Sequence, residues 1–150
     1  MILLDKTLLF QKFVKFTTSV HQMTHEITMG VREDTITPLQ YSILEYIAVT
    51  GLVTPSQISD CLYISLPNTS REIKKLAQKG LCEKYTAPED RRMQYIRLTD
   101  SGEVMMNKAF ATIEARFWER AGHMSAEELA EIERAIELLE SKVFHAGQPL

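Results

Sequence analysis

The sequence predicts a mainly α (α+β) chain, built of helices around one short β-hairpin, and three observations predict it. Apolar residues recur at three- and four-residue spacings through most of the chain, which is the helical period. Helix-start signals repeat at 37–40 (Thr-Pro-Leu-Gln), 54–57 (Thr-Pro-Ser-Gln) and 125–128 (Ser-Ala-Glu-Glu), each with a capping hydroxyl three residues ahead of Gln or Glu. The period changes only between Leu81 and Leu98, where two short strand-like runs flank a turn-rich segment.

Taken in order, residues 3–29 read as one long helix with Leu9, Phe13, Phe16, Val20, Met23 and Ile27 on a face and Gly30 after it. That face carries more apolar surface than one small domain covers, which points to a partner chain. A second helix opens at the Thr37 cap with Pro38 in its first turn, turns Leu39, Ile43, Leu44 and Ile47 inward and ends at Gly51. A third, short helix opens at Thr54 and runs to Cys61 or Leu62, and Tyr63–Ser65 turns the chain into a fourth.

The fourth helix, Ser65 to Gly80, is the centre of the reading. Its helical projection puts Leu66, Thr69, Ile73, Leu76 and Ala77 on one stripe. Asn68, Arg71, Lys75 and Gln78 project from the opposite side, with Ser70 and Lys74 on one flank and Lys79 on the other. Pro67 fits the first turn and Gly80 the C-terminal cap. A short helix anchored by one side and offering Asn, Ser, Arg and Lys on the other suits a DNA major groove, where Arg and Lys read guanine and Asn reads adenine. Asn68, Thr69, Ser70 and Arg71 are the base-reading candidates; Lys74, Lys75 and Lys79 are assigned to phosphates, with Ser65 and Pro67 at the helix start. Ser56 and Gln57, at the N-terminus of the preceding helix, are candidates for backbone contacts.

Two short helices joined by a tight turn form a helix-turn-helix, and the hairpin directly after it is a wing. Its strands are Leu81–Tyr85 and Gln94–Leu98, and its tip carries Asp90, Arg91 and Arg92. Adjacent arginines there suit a minor groove, and Asp90 is expected to hold one guanidinium through a bidentate pair. Residues 99–103 then cap a long helix with Met106, Phe110, Ile113 and Phe117 along one face; Gly122 breaks it. The last helix carries Leu129, Ile132, Ile136, Leu139 and Val143 as a heptad-like seam. The expected organisation is a single domain over 1–150. In it 37–99 form a winged helix DNA-binding lobe, and 3–29 and 100–145 form a dimerisation layer.

Charge supports the placement. Residues 54–99 hold eight Lys+Arg against five Asp+Glu, or +3, while the remainder holds nine against fifteen, or −6. A basic middle between acidic flanks localises a polyanion contact to the middle. Two cysteines, Cys61 and Cys82, make neither a disulfide framework nor metal-ligand spacing and read as packing residues. His21 and His25 stand i, i+4, a spacing compatible with metal, but without neighbouring ligands they read as surface or interface histidines. No apolar run reaches the length of a membrane span and no signal peptide is recognised, so a cytoplasmic location is expected. No nucleophile–base pair, phosphate loop or metal motif marks an enzyme, and no cofactor is expected.

With these pieces assembled, the chain resembles the MarR family of bacterial winged-helix regulators over nearly its whole length. The resemblance is carried by Leu76-Ala77-Gln78-Lys79-Gly80-Leu81, then Glu89-Asp90-Arg91-Arg92, then Ile96-Arg97-Leu98-Thr99 and Gly102, in that order and spacing. It implies a homodimer that represses genes at palindromic operators on double-stranded DNA and is released by a small-molecule effector, often aromatic or acidic. It also implies that Arg92 is the wing arginine and Asp90 its acidic neighbour, whereas Met93 departs from the small polar residue usual at that point. The alternative is a winged-helix module that binds another protein and not DNA; the cations at Arg71, Lys75, Arg91 and Arg92 argue against it. The sequence does not locate an effector site.

Overall fold

The computed structural model describes residues 5–145. The order is α1 (Lys6–Thr28), α2 (Pro38–Thr50), α3 (Pro55–Leu62), α4 (Leu66–Gln78), β1 (Cys82–Thr86), β2 (Gln94–Leu98), α5 (Asp100–Ala121) and α6 (Ala126–Leu139). A π-helical turn, Glu140–Phe144, follows α6. The chain forms one compact unit through Glu114 and a second from Ala115.

The first unit starts from its caps. Thr37 and Thr54 both make reciprocal capping boxes, with Gln40 and Gln57 respectively, and a proline fills the first turn each time. These boxes satisfy amide groups that a helix start otherwise leaves without partners. They aim α2 and α3 so that Ile43, Leu44, Ile47 and Ile58 meet Ile73 and Leu76 of α4, Leu81, Ile96 of β2 and Met106 of α5 in a buried core. The two strands pair antiparallel, from Cys82 opposite Leu98 to Thr86 opposite Gln94. Val53 adds a single bridge to Ile96, with each backbone N–H donating to the other's carbonyl.

The junction of α4, wing and α5 rests on one glycine pair. Gly80, at φ 74°, ends α4 in a left-handed turn, and the Gly80 and Leu81 amides return to Ala77 and Leu76 at 2.9 and 3.0 Å, a Schellman pairing. The Leu81 carbonyl then accepts from the Thr99 amide at 3.1 Å. Thr99 Oγ1 donates to Gly80 O and accepts from the Gly102 amide at 3.1 Å. Helix α5 approaches so closely that a Cβ at Gly102 would stand 2.0 Å from the Leu81 carbonyl oxygen.

Helix α1 starts at an Asp5 cap and buries none of its residues fully; Phe13, Met23 and Ile27 are half-buried. Leu9, Phe10, Phe16 and Val20 are exposed, Phe10 at 64%. The expected start at residue 3 lies outside the described residues. In the second unit, Ser125 caps α6 by accepting from the Glu128 amide at 3.1 Å. Its hydroxyl, and not its backbone amide, meets the Glu128 carboxylate at 3.3 Å, so the box is only half formed. Leu129, Ile132 and Ile136 are exposed on α6 and Leu139 is half-buried. The expected seam does not continue regularly to Val143. The π turn, closed by the His145 amide on the Glu140 carbonyl at 2.9 Å, adds a residue to the turn and rotates Val143 out of the heptad register.

Candidate nucleic-acid interface

The Ser65 side chain caps α4 by accepting from the Asn68 amide at 3.2 Å, which commits its oxygen to the helix start. Pro67 sits exposed in the first turn. Beyond it Ser70, Arg71, Lys74 and Lys75 are exposed and Asn68 is half-buried. Among the described residues Arg71 and Lys74 make no ion pair, so their charges face solvent. Lys75 bridges to Glu72 at 3.2 Å, an exposed i, i+3 pair that adds little stability but moderates its charge.

Two candidates on α4 take different places. Thr69 is fully buried, with 0% exposure, and its Oγ1 donates back to the Ser65 carbonyl at 2.9 Å. It lies on the same stripe as Ile73 and Leu76, so it faces the core and cannot read a base. Lys79 lies beyond the last helical residue, and its ammonium bends back to donate to Thr35 O at 2.6 Å and Gln40 Oε1 at 3.0 Å. Gln40 is itself buried and donates to Glu72 Oε2 at 3.0 Å. That bond, ahead of the Lys75 contribution, holds the Glu72 carboxyl below its ordinary range. Lys79 is therefore tied to the α1–α2 loop and is not presented to a phosphate.

The inner stripe is also narrower than its helical projection. Leu66, in the first turn, is 46% exposed. Ala77 is exposed because the wing stands off α4, leaving a cleft of about 460 Å³ bordered by Ser70, Lys74, Ala77, Lys84 and Gln94. At its floor Cys82 is buried, its thiol pushed up to about 11 by desolvation and then by the Glu83 charge. Ser56 and Gln57 are exposed at the start of α3, with the Gln57 side-chain oxygen already accepting from the Thr54 amide at 2.9 Å.

On the wing, Asp90, Arg91 and Arg92 are all exposed at the tip. Asp90 Oδ1 accepts from the Arg92 backbone amide at 3.0 Å, so it shapes the turn and does not clamp a guanidinium. This is the Asx turn that Asp favours. Lower on the hairpin, Arg97 pairs with Glu83 at 3.0 Å and lies 4.3 Å from the Tyr85 ring centroid. The recognition face of α4 and the wing tip thus present Arg71, Lys74, Arg91 and Arg92 on separate projections of one unit.

Comparison with known proteins finds the same likeness. Residues 34–93, which hold α2 to the wing tip, match the sequence profile of the MarR family. Over 136 residues the chain is 23% identical to the HTH-type transcriptional regulator MhqR of Bacillus subtilis, covering 91% of this chain and 92% of that one. Over residues 34–93 the chain is similar to the MarR family.

Solved structures share the fold. A MarR family protein from Bacillus stearothermophilus superposes with a TM-score of 0.68 at 20% identity, covering 93% of this chain and 96% of that one. Streptococcus pneumoniae FabT, solved in complex with DNA, gives 0.61 at 24% identity, covering 87% and 94%. Two features of this chain are not legible in its sequence: the Gln40–Glu72–Lys79 network, and the left-handed backbone at Tyr63. The one signal for the network is Gln40 itself, a polar residue at the third position of a helix whose neighbours are core. Among the described residues no helix is long and apolar enough to cross a membrane. Nor do any three or more His, Cys, Asp and Glu side chains among them group as metal ligands.

Proposed function

We propose that this chain is a homodimeric repressor that binds a palindromic operator through α4 and the wing and leaves it when a small molecule binds. The observation that carries the reading is the solvent-facing set Ser70, Arg71, Lys74, Arg91 and Arg92, on a helix and a hairpin tip otherwise fixed by the core. Two copies insert their α4 helices into successive major grooves about one helical turn, ~34 Å, apart. Asn68, Ser70 and Arg71 read bases; Lys74 and Lys75 bind phosphates; Arg91 and Arg92 enter the flanking minor grooves, held by the Asp90 turn. Ser56 and the Gln57 amide add backbone contacts. The exposed apolar residues of α1, and those of α6, supply the surface of the dimer.

A cavity of about 360 Å³ within the first unit favours the effector half of the reading. It is lined by Arg32, Asp34, Ile36, Tyr41, Lys108 and Thr112, among others. The Tyr41 hydroxyl is the one buried side-chain polar atom among the described residues without a hydrogen-bond partner. Burial, and secondarily the nearby Glu45 carboxylate, keeps its proton on by raising its pKa. A buried phenol in a lining that carries both cations (Arg32, Lys108) and carboxylates (Glu33, Asp34) suits a small polar molecule bearing a hydrogen-bonding oxygen.

The test is fluorescence anisotropy with DNA from upstream of the protein's own gene and a scrambled control, across a salt series, with the solution mass measured by light scattering. Selective binding by a dimer, with a steep salt dependence, is expected. Arg92→Ala should weaken binding to both DNAs alike and flatten the salt slope. Equal, weak binding to both sequences would overturn the operator reading, and a monomer that binds selectively would overturn the dimer.

A further inference from the structure

We infer that Tyr63, in the turn between α3 and α4, is a DNA-backbone contact whose phenol hydroxyl donates to a phosphate oxygen. The inference rests on the DNA-binding reading above and adds a residue to it. Its starting point is a conflict between backbone and side chain. The turn needs a left-handed residue at this position: φ and ψ are 55° and 43°, and the Tyr63 amide caps α3 on the Ser59 carbonyl. The Ile64 amide shares that carbonyl at 3.2 Å, and Ser59 Oγ donates to Ile64 O at 2.6 Å, so the turn is stitched from both sides. Glycine takes this conformation without steric cost, and Asn takes it more readily than a bulky residue. Tyr63 is the only non-glycine residue described with a positive φ.

Packing gives no compensation. Tyr63 is 95% exposed, while its neighbours Leu62 and Ile64 are half-buried. An aromatic ring held in an unfavourable backbone region and left in solvent stabilises neither the turn nor the core. Strain of that kind is kept where a site uses it. The location says what the site is, since Tyr63 stands two residues before the Ser65 cap of α4, at the end carrying Asn68 and Arg71. In a helix-turn-helix the first helix crosses the phosphate backbone and the N-terminal residues of the second enter the groove, so the turn that joins them stands between backbone and groove. A phenol is a neutral donor on a side chain with few torsions, suited to fixing orientation on a phosphate without reading sequence.

Wild type, Tyr63→Phe and Tyr63→Gly are compared for melting temperature and for affinity to upstream and scrambled DNA across a salt series. The Phe variant keeps shape and strain, so its melting temperature should match wild type. Its affinity should fall about tenfold or more on both DNAs, as expected when one hydrogen bond to a charged acceptor is removed. The salt slope should not change, because no charge is removed. The Gly variant should melt about 2–4 °C higher, relieved of strain, and bind no better than the Phe variant. If both variants bind like wild type, the contact is refuted while the interface stands. Weakened binding by the Gly variant alone would assign the effect to the ring and overturn the phosphate hydrogen bond. Failure of wild type to bind either DNA would overturn the interface and this inference together.

Discussion

Lys74 and Lys79 are both exposed lysines on or just beyond one short helix, and they should respond oppositely to the same substitution. Lys79 donates to the Thr35 carbonyl and to Gln40 Oε1 at 2.6 and 3.0 Å, whereas Lys74 has no ion-pair partner among the described residues. A hydrogen bond from a charged donor contributes about 1.5–3 kcal/mol when water is excluded. Solvent competes at Lys79, so its two bonds together stabilise by about 1–2 kcal/mol. In a chain of this size that is a melting temperature lower by about 3–6 °C in Lys79→Met. The same variant should leave the salt dependence of DNA binding nearly as in wild type. Lys74→Met should do the reverse, leaving the melting temperature unchanged and reducing the salt slope by about 0.9 for each phosphate no longer neutralised. Differential scanning fluorimetry and anisotropy titrations across a salt series measure both quantities on the same samples. A Lys79→Met protein that melts like wild type but has a salt slope shallower by about one unit would refute the reasoning. It would mean that the ammonium leaves the Thr35 loop to bind DNA.

Gly102→Ala should destabilise the protein by about 2 kcal/mol or more, despite the better helix propensity of alanine, because the new Cβ would meet a backbone carbonyl at 2.0 Å; thermal melting checks it. Glu72 has a native pKa held below the ordinary value, chiefly by the Gln40 amide. Its contribution is therefore complete above the unfolded-state pKa, about 4.3, and lost as pH falls through the lower native value. Denaturant titrations from pH 7 to pH 3 should show the stability gap between wild type and Glu72→Gln closing on the acid side. Cys61 is exposed whereas Cys82 is buried with its thiol pushed up to about 11. Iodoacetamide at pH 7.5 should modify Cys61 alone in the folded protein, and mass spectrometry of peptides reads the site. Modification of Cys82 at a matching rate would mean that the wing opens away from α4.

Much of the fold is legible in the sequence because local chemistry marks its own boundaries. The caps at Thr37 and Thr54, the glycines at 51 and 80, and the switch to alternation after Leu81 each act within a few residues, and the elements begin and end close to where they indicate. The failures have a common physical origin. A helical wheel gives direction but not what stands opposite, so Ala77 falls on the inner stripe although the wing leaves it exposed. Thr69 answers to two signals, its place on the apolar stripe and its position in the N-terminal turns, and burial settles it as a core residue. Adjacent opposite charges suggest that Asp90 holds a guanidinium. Its oxygen instead takes the Arg92 amide two residues on, the shortest-range bond available to an Asp in a turn. The Lys79 network joins residues 39 and 44 positions apart, beyond any local pattern.

The motif that carries the family resemblance performs a different task from the face that would meet DNA. Leu76, Gly80, Leu81, Thr99 and Gly102 converge on one knot of backbone bonds, in which the Leu81 carbonyl receives Thr99 and excludes a side chain at Gly102. None of these five presents a group to a base. Their spacing is demanded by geometry: a Schellman turn must release the chain into β1, and β2 must return it so that α5 can dock on the same carbonyl. Arg71 projects from the opposite side of α4 and Ser70 and Lys74 from its exposed flank, and all three can change without disturbing that knot. The sequence is therefore most readable where backbone approaches backbone, and least readable where the partner is another molecule. This is why the fold and the family likeness follow from the chain, while any DNA sequence it prefers must be found by titration.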